Sequence, residues 1–259
     1  MLRTSADLTL SSMTLEPPAY PSLNPRGKPL VYLSLETLLH PHRPPEGLPG
    51  DSPRCGLGFE LLRLMNVRDE YVDTFKVLAD YTNILCAYHE GILHVPGVVI
   101  ADSRNVLQHR LLDLPTIKEL PHSYGANLSG DSISPNLYAY EACRLAALIY
   151  GVMVTYPLPR SQHARGIALN ALKELLGNVD LLSQGPHAAK LYFWCLVISS
   201  IGAYDNDDRA WFILQTKELV AALDIRSWDE AERNLHMFAW LKCACSVAGR
   251  ALWAELSRD

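Results

Sequence analysis

From about Gly56 onward the apolar residues recur at spacings of three and four, with no sustained alternation, and this restricts the fold more than any other feature of the chain. The pattern is clearest in DEYVDTFKVLADYTNILCAYH. There Tyr71, Phe75, Leu78, Thr82, Leu85 and His89 fall on one stripe, with Val72, Ala79 and Cys86 beside it, as on a long amphipathic helix. Ser103 to Leu114 reads as a shorter helix ended by Pro115. Ser134-Pro135 supplies an N-cap with proline at the first helical position, opening a helix that runs to Pro157. Further helices are expected over Ser161–Leu182, over Lys190–Ala203, which is apolar on every side, and over Arg209–Leu223 behind the acids Asp207 and Asp208. Ser227 with Glu230 three residues on forms a capping box for a last helix carrying Met237, Trp240, Leu241, Ala244, Ala248 and Leu252. The pattern predicts an all-α fold, an irregular stack of about seven or eight antiparallel helices without a fixed repeat.

Proline separates this body from what precedes it, since 10 of the 17 prolines lie in residues 1–53. PPAYP and HPHRPPEGLPG favour extended or irregular backbone. Residues 1–54 are therefore expected to form a Pro-rich, poorly ordered arm. Within it, Leu30 to Leu39 (LVYLSLETLL) could pack on the body as a strand or short helix. Residues 55–259 are expected to form one helical domain, with 49% apolar residues to supply its core.

A net charge of −5 is the opposite of a phosphate-binding footprint. No uninterrupted apolar run approaches the ~18 residues of a membrane span, the nearest being Leu191 to Ala203. The N-terminus lacks the apolar run and cleavage site of a secretory signal, so the expected location is inside the cell, not secreted and not membrane-bound. Cys55, Cys86, Cys143, Cys195, Cys243 and Cys245 are then expected as reduced, buried thiols, and the Asn127-Leu128-Ser129 sequon is discounted.

Fragments that look catalytic fail on geometry. His89 and His94 stand at i and i+5, whereas a zinc-protease helix needs i and i+4. Cys243 and Cys245 diverge by about 200° on a helix. Gly130-Asp131-Ser132 lacks the preceding strand that a hydrolase serine requires. No phosphate-binding loop is present, and no catalytic residue, metal ligand or cofactor is assigned. The candidate ligand or regulatory contacts are polar residues inside apolar stripes. Glu141 precedes Leu145 by four residues and can pair with Arg144, while Arg104 shares a stripe with Leu107 and Leu111, with His109 and Arg110 beside it. Trp211, Trp228, Trp240 and Trp253 sit at core spacing in the C-terminal quarter.

Three segments, SRNVLQHRLLDLP (Ser103–Pro115), YEACRLAALIYGVMVTYPLP (Tyr140–Pro159) and the run from Trp211 through LQTKELVAALDI and SWDEAERNLHMFAWLKCACSVAGRALWAE to Glu255, give the chain a likeness over residues 55–256. In order and wording they resemble the regulatory domain of fungal-specific transcription factors, whose DNA-binding part is a binuclear zinc cluster held by six cysteines. Residues 1–54 contain no cysteine, so the cluster is expected to be missing from this chain, either encoded upstream of Met1 or lost. No DNA-binding residue is assigned. The resemblance implies a nuclear transcription-regulatory module that reaches DNA only through that missing cluster. Its implied partners are a small-molecule effector and the transcription machinery, or a second copy engaged through helices. The alternative is a stand-alone, cytoplasmic helical protein that binds a small molecule, or an enzyme of secondary metabolism on the same scaffold. A pure interaction scaffold would instead show an exposed apolar groove.

Overall fold

The helical periodicity is realised as helices. In a computed structural model describing residues 2–21, 23, 28, 30–39, 56–120, 135–157 and 162–258, eleven α-helices follow one another and no strand occurs among the described residues. They are α1 (Leu2–Thr14), α2 (Leu35–Leu39), α3 (Glu60–Leu64, entered through a 3-10 turn at Leu57–Phe59), α4 (Asp69–His89), α5 (Gly97–Leu112) and α6 (Pro135–Tyr150). Then come α7 (Gln162–Gly177), α8 (Gly185–Gly202), α9 (Arg209–Ala222), α10 (Trp228–Leu235) and α11 (Lys242–Leu256). Helix α6 runs directly into a π turn, Gly151–Thr155.

Helix α8 is the axis of the stack. Every residue from Leu191 to Ser200 is buried, as its all-round apolar surface requires, and α6 packs on one side while α9 packs on another. Gly202 permits close approach, because a Cβ there would stand 2.8 Å from Ile149 Cγ2. Helix α7 lies against α6, and α4 pairs with α5. By length and mean hydropathy, Asn136–Thr155 could cross a membrane, but 83% of it is buried inside the protein.

Three helices exceed the seven or eight expected. The first is α1, formed where a poorly ordered arm is predicted. It buries Leu8, Ser11 and Ser12 against α5 and α7. The Leu30–Leu39 patch takes its helical option as α2, tethered where the Asp80 carboxylate accepts hydrogen bonds from Tyr32 Oη (2.8 Å) and Leu35 N (3.1 Å). The second extra helix is α3.

The third arises because the C-terminal helix predicted as continuous is broken between α10 and α11. Ser227 does cap α10, accepting from Glu230 N, but the Glu230 carboxylate takes the amide of Arg226 instead of closing the box. After Leu235 the chain turns Phe238 and Trp240 into the core. The backbone groups released there find tertiary partners: Met237 O accepts from Gly58 N (2.8 Å), Ala239 O from Trp194 Nε1 (2.9 Å), and Leu241 N donates to Tyr150 Oη (3.0 Å). Phe59, Phe75, Trp194 and Phe238 stack and edge against one another beneath the break.

Candidate functional site

Two buried polar groups lie inside this apolar stack, and the sequence candidates divide between them. The first is on α6. Glu141 and Arg144, each 6% exposed, form a bidentate pair with Arg144 Nη2 at 2.6 Å from Glu141 Oε1 and Nε at 2.9 Å from Oε2. Burial opposes the Arg144 charge, yet the hydrogen bond and charge of Glu141 outweigh it and hold the guanidinium above its ordinary value. Glu141 Oε2 also accepts from Ile117 N (3.2 Å), and Tyr140 Oη donates to Pro115 O (2.7 Å). The pair therefore fastens the segment after α5 to the face of α6.

The second group lies in a seam between α5 and the π turn, covered by α1. Gln108, 1% exposed, donates from Nε2 to Ser12 Oγ at 3.0 Å. The Ser12 hydroxyl donates its own proton to Leu8 O, so it can only accept from Gln108, which fixes the orientation of the amide. Gln108 Oε1 then points at Gly151, where a Cβ would stand 3.1 Å away. One turn earlier on α5, the Arg104 guanidinium lies over the Tyr156 ring at 4.8 Å from its centroid, and Tyr156 Oη is 3.3 Å from Thr9 Oγ1 of α1. Thr155, 3% exposed, closes the π turn between Gly151, which Gln108 faces, and Tyr156, over which Arg104 lies. Beneath Arg104, Tyr81 Oη donates to Ile100 O. Burial pushes that phenol up to about 12, with Arg104 pulling the other way.

Three atoms of α5 and the π turn, Arg104 Nε, Gln108 Oε1 and Thr155 Oγ1, are buried and have no hydrogen-bond partner among the described residues. Such groups are uncommon because each forfeits its hydration without compensation. Two others among the described residues, Tyr192 Oη and Trp228 Nε1, lie on α8 and α10. The π turn is itself a form concentrated at functional sites.

His109 and Arg110 follow Gln108 on α5 but turn away from its buried face. His109 Nε2 lies 3.3 Å from Tyr20 O, and the Arg110 charge acts on Tyr32, whose phenol is raised chiefly by burial and by Asp80. Arg104 lies on Tyr156, His109 meets Tyr20 and Arg110 is exposed, whereas Glu141 and Arg144 do not join them. Sequence reading missed Gln108, Thr155 and the seam itself. The available signals were Gln108 between Leu107 and Leu111, and a glycine and threonine four residues apart at the end of an otherwise apolar helix.

Among the described residues no three His, Cys, Asp or Glu side chains gather as a metal site. His89 and His94 are both exposed. Five cysteines are free thiols, but the expectation that all are buried is corrected: Cys143, Cys195 and Cys245 are buried, Cys86 is half-buried and Cys243 is exposed. Cys55, the sequon at Asn127, Gly130-Asp131-Ser132 and Ser134 lie outside the described residues. None of the four C-terminal tryptophans is exposed, and Trp228 tilts against Trp240 at 6.2 Å. A surface cleft of about 200 Å³, lined by Asp180, Leu182, Gln215 and Glu218 among others, lies apart from both polar groups. Comparison with family models, with curated proteins and with solved structures gives no match.

Proposed function

We propose that the chain is a transcription-regulatory module of the kind that accompanies fungal zinc-cluster DNA-binding domains. The observation that carries this reading is the placement of the three segments that resemble the family. They fall on α5, α6 with its π turn, and α9 to α11; α6, α9, α10 and α11 pack on α8, and α5 joins them through α6. A net charge of −5 agrees with DNA contact made through another protein part. Regulation needs an element with two arrangements that a signal can bias, and α1 over its incompletely bonded seam has that character.

The test is to fuse the full chain to an unrelated DNA-binding domain and read a reporter carrying its sites. Reporter output is expected to differ several-fold from that of the DNA-binding domain alone. The unfused protein should bind duplex DNA only non-specifically, with Kd of about 10⁻⁴–10⁻⁶ M at physiological salt. Unchanged reporter output, or nanomolar binding of duplex by the chain alone, overturns the reading. The second reading, a stand-alone small-molecule-binding protein or an enzyme on this scaffold, is favoured by the unpartnered groups of the seam. It would be selected by turnover of a bound compound.

A further inference from the structure

We propose that the seam between α5 and the π turn is a binding site for a small carboxylate bearing a hydrogen-bond donor next to the carboxylate group, and that α1 is the displaceable lid over it. The site deepens the regulatory reading as the place where an effector acts, but its test uses purified full-length protein and no reporter, so each can fail alone.

The ligand class follows from the three unpartnered atoms. Arg104 Nε on α5 and the Thr155 hydroxyl on the adjoining π turn are donors without a partner, and the Arg104 guanidinium, stacked on Tyr156 with Nη2 donating to Asn105 Oδ1, has no carboxylate partner among the described residues. Two donors and a cation suit a carboxylate. Gln108 Oε1 is an acceptor one turn along, locked in place by Ser12, and it calls for a hydroxyl or amino group adjoining that carboxylate. Gln108 and Thr155 are buried, and α1 bonds Gln108 through Ser12 and reaches Tyr156 through Thr9, so a ligand gains access to this seam when α1 moves.

Helix α1 is suited to leave. Its buried contacts rest on Leu8 with the small polar Ser11 and Ser12, it ends at Thr14, and residues 15–34, with five prolines, separate it from α2, the next helix. Docking it strands three polar atoms of the body. A ligand that bonds them gains what α1 does not supply. This is a differential interaction with the open and closed arrangements, which is what a ligand needs in order to shift a population.

Lactate and propionate are matched probes, because they differ only in the hydroxyl beside the carboxylate. The thermal midpoint of the full chain is measured with about 10 mM of each, D- and L-lactate separately, a concentration suited to ligands of so few heavy atoms. Amide hydrogen exchange of residues 6–14 is followed in the same samples. One lactate enantiomer is expected to raise the midpoint more than propionate, while the α1 amides lose protection and those of α5 do not. Thr155→Val, of the same shape without the hydroxyl, is expected to fold and to bind lactate about tenfold more weakly, as for one hydrogen bond to a charged group. Arg104→Gln should lose more. The proposal is overturned if neither enantiomer raises the midpoint above propionate, if α1 protection is unchanged while the midpoint rises, or if both variants respond like the natural chain.

Discussion

Glu141–Arg144 sits on α6 beneath the segment that follows α5, and Arg104–Gln108–Thr155 on α5 and the π turn. Both are polar groups set in the apolar stack, Arg104 being half-buried and the others buried, yet one is closed and the other is not. In the first, each charge has a bidentate partner and the remaining carboxylate capacity is taken by Ile117 N. In the second, Gln108 binds Ser12 through one atom while its oxygen faces a glycine, and two neighbouring donors are idle. Burial alone therefore does not mark a functional residue. A satisfied group acts as a fastening, and an unsatisfied one holds interaction capacity that something else can use.

The comparison can be broken most severely at the closed pair. Glu141→Ala should cost about 3–5 kcal/mol in denaturant unfolding, because it strands the buried Arg144 charge and frees Ile117 N. Adding Arg144→Met should recover most of that loss. A single variant within about 1 kcal/mol of the natural chain would mean that water already reaches the pair. Next in size, Gly151→Ala should cost about 1–3 kcal/mol, since its methyl would press on Gln108 Oε1. No measurable change would show that the seam has slack that the closed pair lacks.

Thr155→Val should have the opposite sign, raising stability by about 1 kcal/mol as an unpaired hydroxyl is replaced by a methyl. A loss of stability instead would reveal a bonding partner for that hydroxyl and erase the contrast. The smallest effect extends the comparison to a group that titrates. Half-buried His236 is held below its ordinary value by desolvation, with Lys242 acting the same way and Glu232 against it. Its folded value lies beneath the unfolded ~6.5, so the stability it contributes is complete above that pH and declines as pH falls through it. His236→Gln should flatten the pH dependence of the thermal midpoint below about 6.5; an unaltered slope would assign that dependence to other groups.

Much of the helical layout is legible in one dimension because it rests on local rules. The stripe of α4, the all-round apolar surface of α8, the acids ahead of α9 and the Ser227 cap each place an element within a few residues of its position. Where local rules are silent the reading goes astray. LRTSADLTLSSMT stands beside a Pro-rich stretch and its apolar residues are few, and α1 docks by burying Leu8, Ser11 and Ser12 against α5 and α7. Of the candidate site, Arg104 was found as a charge in an apolar stripe, but Gln108 and Thr155 carry no charge and occupy ordinary helical positions.

The sequence by itself determined that this protein is all-helical and where most helices begin, because periodicity and caps act between residues three or four apart. Only the tertiary structure decided that the last helix would break at Met237–Leu241, since Gly58, Trp194 and Tyr150, distant in the chain, bond the backbone groups the break releases. It also decided which buried polar groups find partners, for a side chain's hydrogen-bonding capacity is written in its identity while its satisfaction depends on what the fold places within about 3 Å.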